Sequence, residues 1–176
     1  MSCTSSVAVS SSLPKGFTER EFRQALGTFA TGVTIVTTHD RHGQPVGLTV
    51  SSFNSVSLSP PLVLWSLAYR SHSIEAFEHC SHYVIHVLTA QQLALAQRFA
   101  SKGIDRFSGL ALECSPSGFP VLPDCLAWFE CRNRSQHPEG DHLVLVGEVE
   151  HCHRAPAPAA PLLYHGGQLH DSFQLV

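Results

Sequence analysis

The sequence predicts an antiparallel β-barrel with helices packed on its outside and rim, and three observations carry that prediction. Short β-branched and apolar stretches recur from Gly32 to Tyr164. They follow one another through polar turns more often than through helices, which disfavours a parallel sheet. A chain of 176 residues with 43% apolar and 14% charged residues suits one domain with a sizeable core, and closing the sheet removes exposed edges.

In chain order, Thr18 and Glu21 form a capping box, and Phe22, Ala25, Leu26 and Phe29 recur at helical spacing. They predict a helix from Thr18 to Ala30 covering one side of the core. GVTIVTT at Gly32 to Thr38 is β-branched and reads as a strand, followed by a polar turn from His39 to Pro45. GLTVSSFNSVSLSPPLVLW at Gly47 to Trp65 then alternates by parity. Leu48, Val50, Val56 and Leu58 make an oily face, and Thr49, Ser51, Ser55 and Ser57 carry hydroxyls until Pro60 and Pro61 interrupt the ladder. Leu62 to Leu67 is a further strand. Ser73 is placed to cap a short helix over Ile74 to His79, and Tyr83 to Leu88 is again extended. Thr89 and Gln92 repeat the capping-box pattern before a helix that ends near Ala100.

From Ser101 to Pro123 the pattern dissolves into Gly, Ser and Pro, with Phe107, Leu110, Phe119 and Leu122 as anchors of a long connection. Strands resume at Cys125 to Asn133 and Asp141 to Cys152 around a hairpin tip at Ser135 to Gly140. APAPAAP at Ala155 to Pro161 is a stiff spacer before a last short strand at Leu162 to Tyr164. The total is about seven strands and three helices. The organisation is a flexible tail over 1–15, one domain over 16–170 and a C-terminal tail over 171–176.

A formal charge of -3 offers no broad basic surface for nucleic acid, and no apolar run is long enough to cross a bilayer. The 6 cysteines show no CxxC spacing and the chain has no signal-peptide pattern, which reads as reduced thiols in a cytoplasmic protein. His151-Cys152-His153 resembles a metal tract, but alternate strand residues face opposite sides, so only the two histidines share a face and no metal site is expected. Cys80, flanked by His79 and His82, is the one cysteine with histidines so close, and it reads as a buried thiol rather than a nucleophile. No GxGxxG is present, so a Rossmann site is not expected. The density of short hydroxyls at Thr49, Ser51, Ser52, Ser55 and Ser57, continued by Ser66, Ser71 and Ser73, suits a polar planar ligand as well as a solvated strand face.

Taken in order, ATGVTIVTT, GLTVSSFNSVSLSPPLVLW, the helix at Ser73, QQLALAQRFASKGIDRF and the GDH of Gly140 to His142 resemble the short-chain flavin reductases. The resemblance runs from Phe17 to Gly167. It implies a mainly β, antiparallel Greek-key split β-barrel that binds FMN, or FAD in its place, at a homodimer interface. It further implies reduction of that flavin by NADH or NADPH for a partner flavin-dependent monooxygenase. On this resemblance Gly32, Val33 and Thr34 and the segment Thr49 to Ser55 match the flavin-contacting stretches. Val50, Ser51 and Ser52 would lie along the isoalloxazine edge, with Ser55 beside them. Ser66, Ser71 and Ser73 would reach the ribityl chain and phosphate, helped by the amides at the start of the Ser73 helix and by Lys102 and Arg106. His142 would contact the nicotinamide, with Asp141 supporting it or the turn.

Two departures from the family pattern stand out. The family's VNVL is Ile85-His86-Val87-Leu88, which puts an imidazole where a side-chain amide near the flavin is usual and bears on flavin affinity and the choice of FMN or FAD. Val50 stands where a small residue is common, crowding the backbone contact there. The rival readings are a barrel flavoprotein that retains its flavin and reduces a metal or dye, and a flavin-binding module without turnover.

Overall fold

The structure is a computed structural model that describes residues 16–156 and 159–172. The tail expected over 1–15 lies outside the described residues, as do 157–158 of the proline spacer and 173–176 of the expected C-terminal tail. No helix of the described residues is long and apolar enough to cross a membrane.

Helix α1 (Glu19–Gly27) starts where the capping box places it: Thr18 Oγ1 accepts from the Glu21 amide at 3.2 Å and Glu21 Oε2 accepts from the Thr18 amide at 2.7 Å. It buries none of its residues, contrary to the expectation that it covers the core, and Phe22, Leu26 and the following Phe29 are 49%, 58% and 75% exposed. The core it was expected to cover is filled by other elements.

The strands are β1 (Thr31–Gly32), β2 (Thr34–His39), β3 (Pro45–Val50), β4 (Asn54–Leu58), β5 (Pro61–Ala68) and β6 (His82–Val87). They continue with β7 (Glu113–Cys114), β8 (Pro120–Val121), β9 (Ala127–Glu139), β10 (His142–Arg154), β11 (Leu163–His165) and β12 (Gln168–His170). Helix α2 (Ile74–His79) follows β5, and α3 (Leu93–Ala100) follows a 3-10 turn at Ala90–Gln92. The main sheet has seven strands in the order β3-β2-β6-β9-β10-β5-β4, with every pairing antiparallel. Its two edge strands, β3 and β4, are consecutive in the chain and joined by residues 51–53 alone. Four residues of chain span at most about 14 Å. A flat sheet of this order would hold its edges about 29 Å apart. The sheet is therefore rolled until its edges meet, and because β3 and β4 share no ladder the barrel is split along that seam.

Inside the roll, alternate residues Val63, Trp65 and Leu67 of β5 and Leu143 and Leu145 of β10 pack with Tyr83, Ile85 and Phe77 of α2. Trp65 meets Phe77 and Tyr83 edge-on at 5.0 and 5.7 Å. A second cluster outside the roll joins Val33, Ile35 and Leu88 to Ala96 and Phe99 of α3 and to Leu122 of the long connection. Strand β2 is thus buried on both faces, so parity carried no information there.

Three predicted boundaries move. The alternation read through Gly47 to Leu58 breaks at residues 51–53, where Phe53 turns in to stack on Phe129 at 5.8 Å. Beyond it, a register shift between Ser55 and Ser57 leaves Val56 and Leu58 49% and 95% exposed, so the oily face ends at Val50. The hairpin tip expected over Ser135 to Gly140 is strand, and the turn is only Gly140 and Asp141 between Glu139 and its partner His142. Gly140, at φ +59°, occupies the first central position, where a II′-type turn takes glycine. The long connection holds its own hairpin, β7 and β8, pinned by the fully buried Glu130, whose Oε1 accepts from Ser115 Oγ and from the Ser117 amide at 3.1 Å.

Candidate active site

The hydroxyl-rich segment divides by what its side chains do. Ser52, in the seam, lies against β5: its Oγ accepts from the Ser66 amide at 2.9 Å and donates to the Ser66 carbonyl at 3.2 Å. One hydroxyl thus replaces the ladder pair that a continuous strand would have made, and ties the two predicted residues together. Ser51 is exposed at the seam, and Ser55 is exposed on β4.

Ser66 lies opposite Val144, and Ala68 opposite His142. Opposed residues of an antiparallel pair share a face, as do residues two apart on a strand. Ser66, Ala68, Val144 and His142 therefore stand on one face, away from the inward Trp65, Leu67, Leu143 and Leu145. The GDH histidine and the Ser52–Ser66 clasp are thereby placed at the same end of the barrel. His142 Nδ1 sits 2.7 Å from Asp141 Oδ1, and that bond holds the Asp141 carboxyl below its ordinary range. With Nδ1 donating to the carboxylate, Nε2 makes no hydrogen bond to the described residues. The Asp141 carbonyl accepts from the Tyr69 amide at 3.0 Å, which fixes the turn to the loop that carries Ser71 and Ser73.

Beside Ser51 opens a cleft of about 610 Å³ between α1, β1 and the β11–β12 turn, lined by Arg20, Arg23, Leu26, Phe29, Thr31 and Tyr164 together with Gly166 and Gly167. Thr31 Oγ1 is buried there without a hydrogen-bond partner among the described residues. A free hydroxyl at Ser51, an orphaned hydroxyl at Thr31 and two guanidinium groups form a donor set that fits a polar, anionic nucleotide. Of the cleft residues, Ser51 alone is among the site residues expected from the sequence. The Gly-Gly pair between two short apolar stretches is the hairpin signal that would have found β11 and β12. A second cleft, of about 690 Å³, gathers His39, His42, His72 and His79 between the β2–β3 turn and α2, and no predicted site residue lines it.

Several predicted contacts are committed within the protein. Val33 is 1% exposed, and its amide and carbonyl bond Leu162 and Leu88 at 3.1 Å each. Thr34 Oγ1 donates to the Val50 carbonyl at 3.1 Å and Thr49 Oγ1 to the Ala96 carbonyl at 2.7 Å. Val50 is buried in the barrel core, whereas Gly32 is exposed with nothing within 4 Å of where a Cβ would sit.

The Ser73 side chain does not cap α2: its backbone is helical, it is 6% exposed, and its own amide donates to Ser71 Oγ at 3.2 Å. The Ile74 amide bonds the Ser71 carbonyl at 3.2 Å, so the first amide of this helix is already taken. Lys102 is exposed. Arg106 is a clamp: Nε and Nη2 bond the Ser101 carbonyl at 3.0 and 2.7 Å, and Nη1 bonds the Gly47 carbonyl at 2.6 Å. Burial pushes the Cys80 thiol up, in keeping with an unreactive group.

His86 corrects the expectation of an imidazole beside the flavin. It is fully buried, Nδ1 donates to the Ile35 carbonyl at 3.0 Å, and Nε2 accepts from the Leu122 amide at 3.1 Å. Both nitrogens are used, the ring is held neutral by burial with its pKa lowered to about 4, and nothing is left for a ligand. Its work is to fasten the long connection to β2 and β6.

The chain belongs to the flavin reductase like domain family, whose model matches residues 26–172. It is 48% identical over 155 residues to the FMN reductase (NADH) SmoA of Agrobacterium fabrum, covering 88% of this chain and 87% of that one. It is 41% identical over 150 residues to HsaB, the reductase subunit of a flavin-dependent monooxygenase of Mycobacterium tuberculosis, covering 84% and 79%. Among solved structures, the Streptomyces globisporus NADH:FAD oxidoreductase SgcE6, in complex with NAD and FAD fragments, matches with a TM-score of 0.81 at 33% identity over 88% of this chain and 92% of that one.

Proposed function

We propose that the chain is an NAD(P)H-dependent reductase of free FMN or FAD that works as a homodimer and supplies reduced flavin to a partner flavin-dependent oxygenase. The observation that carries this reading is the hydroxyl-lined seam at Ser51 and Ser52, on the barrel end that also bears His142, within a family match spanning residues 26–172. Bound together, the flavin supplies a hydride acceptor at N5 and the nicotinamide a hydride at C4.

The protein's part is to hold two rings face to face and keep water out, which needs no acid or base. Ser51 supplies a hydroxyl to the polar ring edge. His142, its tautomer set by Asp141, presents Nε2 to the nicotinamide. Free thiols at Cys80, Cys114, Cys125, Cys131 and Cys152 support a cytoplasmic setting.

The test follows oxidation of NADH and NADPH by the purified protein with and without added FMN, FAD and riboflavin. Turnover that requires added flavin is the expected result; a tightly held flavin whose reduction is indifferent to added flavin would replace this reading with a flavin-retaining enzyme. His142→Ala is expected to slow hydride transfer on the order of tenfold to a hundredfold in stopped flow, with a smaller change in flavin affinity. Collapse of flavin binding at a normal residual rate would remove the nicotinamide role from His142.

The homodimer is supported by apolar side chains left outside the core. Leu58 and Val56 stand out on β4, and Phe22 on α1. Leu58→Glu, at a 95% exposed position, is expected to lower the sedimentation-derived mass from two chains to one without loss of secondary structure. An unchanged dimer would place the interface away from β4.

A further inference from the structure

The cleft beside Ser51 carries more positive charge than a flavin ring can use. Arg20 and Arg23 are three apart on α1 and so share a side of the helix, and both line the cleft. The isoalloxazine ring of oxidised flavin carries no net charge to pair with them. Among the described residues Arg23 is engaged only with Glu19, at 2.5 Å, in a pair whose side chains are 64% and 79% exposed, so a phosphate can replace that carboxylate at little cost. Tyr164 and Phe29, in the same lining, offer aromatic surface. Gly166 and Gly167 leave that wall as bare backbone, with nothing within 4 Å of either missing Cβ.

The helix is fastened to the wall by a 2.8 Å bond from the Gly166 amide to the Gly27 carbonyl, and Gly166 and Gly167 reach the turn with positive φ, at +60° and +82°. Thr31 Oγ1, buried and unpartnered in the cleft lining, adds a group suited to a ribose hydroxyl or a phosphate oxygen. About 610 Å³ is far more than a single phosphate needs and lies in the range of sites that enclose a whole nucleotide arm.

We propose that this α1 cleft binds the adenosine diphosphate arm of a dinucleotide, with Arg20 and Arg23 on the pyrophosphate and Tyr164 and Phe29 against the base. The inference rests on the reading of the chain as a flavin reductase and names the part of the substrate that α1 holds. FAD and NAD(P)H both carry this arm, whereas FMN and riboflavin lack it. The cleft is therefore a determinant of dinucleotide affinity that adjoins the ring-binding seam at Ser51.

The probe is ADP-ribose, which has the arm but neither ring, titrated calorimetrically into the full-length protein and into Arg20→Ala/Arg23→Ala. These positions lie on a helix with no buried residue, so the fold is expected to be kept, and circular dichroism of the variant is the check. The wild-type protein is expected to bind ADP-ribose, and the double variant to lose at least about tenfold in that affinity, a loss about tenfold larger than its loss for FMN.

Competition separates the sources. Displacement of NADH from flavin-saturated protein assigns the arm to the nicotinamide nucleotide, and displacement of FAD but not FMN assigns it to the flavin; either supports the site. Failure of the wild type to bind ADP-ribose overturns it. So does equal loss of ADP-ribose and FMN, which would make α1 a support for the ring, or no loss of either. Wild-type protein that reduces FMN but ignores ADP-ribose removes this inference alone, while absence of any flavin reduction removes the reading beneath it.

Discussion

Lowering the pH from 6.5 to about 4 is expected to remove roughly 3 kcal/mol of folding stability through a single side chain, the His86 imidazole. In the folded chain the ring is fully buried and neutral, with its pKa lowered to about 4 from 6.5, chiefly because burial penalises the charged form. The unfolded chain takes up a proton on this ring below its ordinary pKa. It therefore binds more protons than the native state as the pH falls, and the balance shifts toward unfolding. The stabilisation is complete above pH 6.5 and is lost as the pH drops through about 4. Protonation would also turn Nε2 from an acceptor into a donor facing the Leu122 amide, so acid loosens the attachment of the long connection. His86→Asn, which restores the residue expected in the resembling family, removes the titrating group. Urea unfolding of both proteins at about pH 7.5 and about pH 4.5 is expected to show a wild-type acid loss larger than the variant's by roughly 2 to 3 kcal/mol. Equal losses would mean that the ring is not held neutral in the core.

Gly147→Ala is expected to destabilise the protein by about 3 kcal/mol. A Cβ at this position would stand 2.4 Å from Tyr83 Oη, 2.8 Å from Cys131 Cβ and 3.0 Å from Tyr83 Cζ. Neither neighbour can step aside: Tyr83 and Cys131 are both 0% exposed, and the phenol is lodged edge-on against Trp65. Gly147 also lies in the middle of β10, paired to Val63 on one side and Asn133 on the other, so the backbone cannot retreat without breaking two ladders. Equilibrium urea unfolding at neutral pH measures the loss. Combining the substitution with Tyr83→Phe removes the closest clashing atom and is expected to recover part of it, giving a coupling between the sites that distant residues lack. An unaltered unfolding midpoint for Gly147→Ala would show that the phenol does not fill this space.

What was legible in the sequence was local or periodic. The Thr18–Glu21 box gave the start of α1 to the residue because both partners lie within one turn. The merging of β3 and β4 into one strand came from a parity that persists across the seam, although the Ser52 bond that makes the seam is to a residue fourteen positions away. Counting hydroxyls could not separate Thr34 and Thr49, which serve distant carbonyls, from Ser51, which serves none. His86 sits among buried residues on both faces of β6, so alternation could not say which way it points. Arg20 and Arg23 carry no local signal of a site, because the hairpin that lines the cleft with them lies more than a hundred residues on.

The two borders of the rolled sheet are finished differently. Along β3, Arg106 occupies the Gly47 carbonyl and Thr49 is bonded to α3, so its outer rim is closed to any incoming chain. Along β4, pairing is to β5 alone among the described residues, and Leu58 at its end stands almost wholly in water. A sheet sealed on one rim and open on the other has a direction for growth: strand addition, whether productive or the start of misassembly, has only the β4 side to use. Crowded expression or partial unfolding would therefore be expected to produce intermolecular β-structure seeded from Asn54 to Leu58, and a charge at Leu58 would act as a gatekeeper as well as a probe of the dimer.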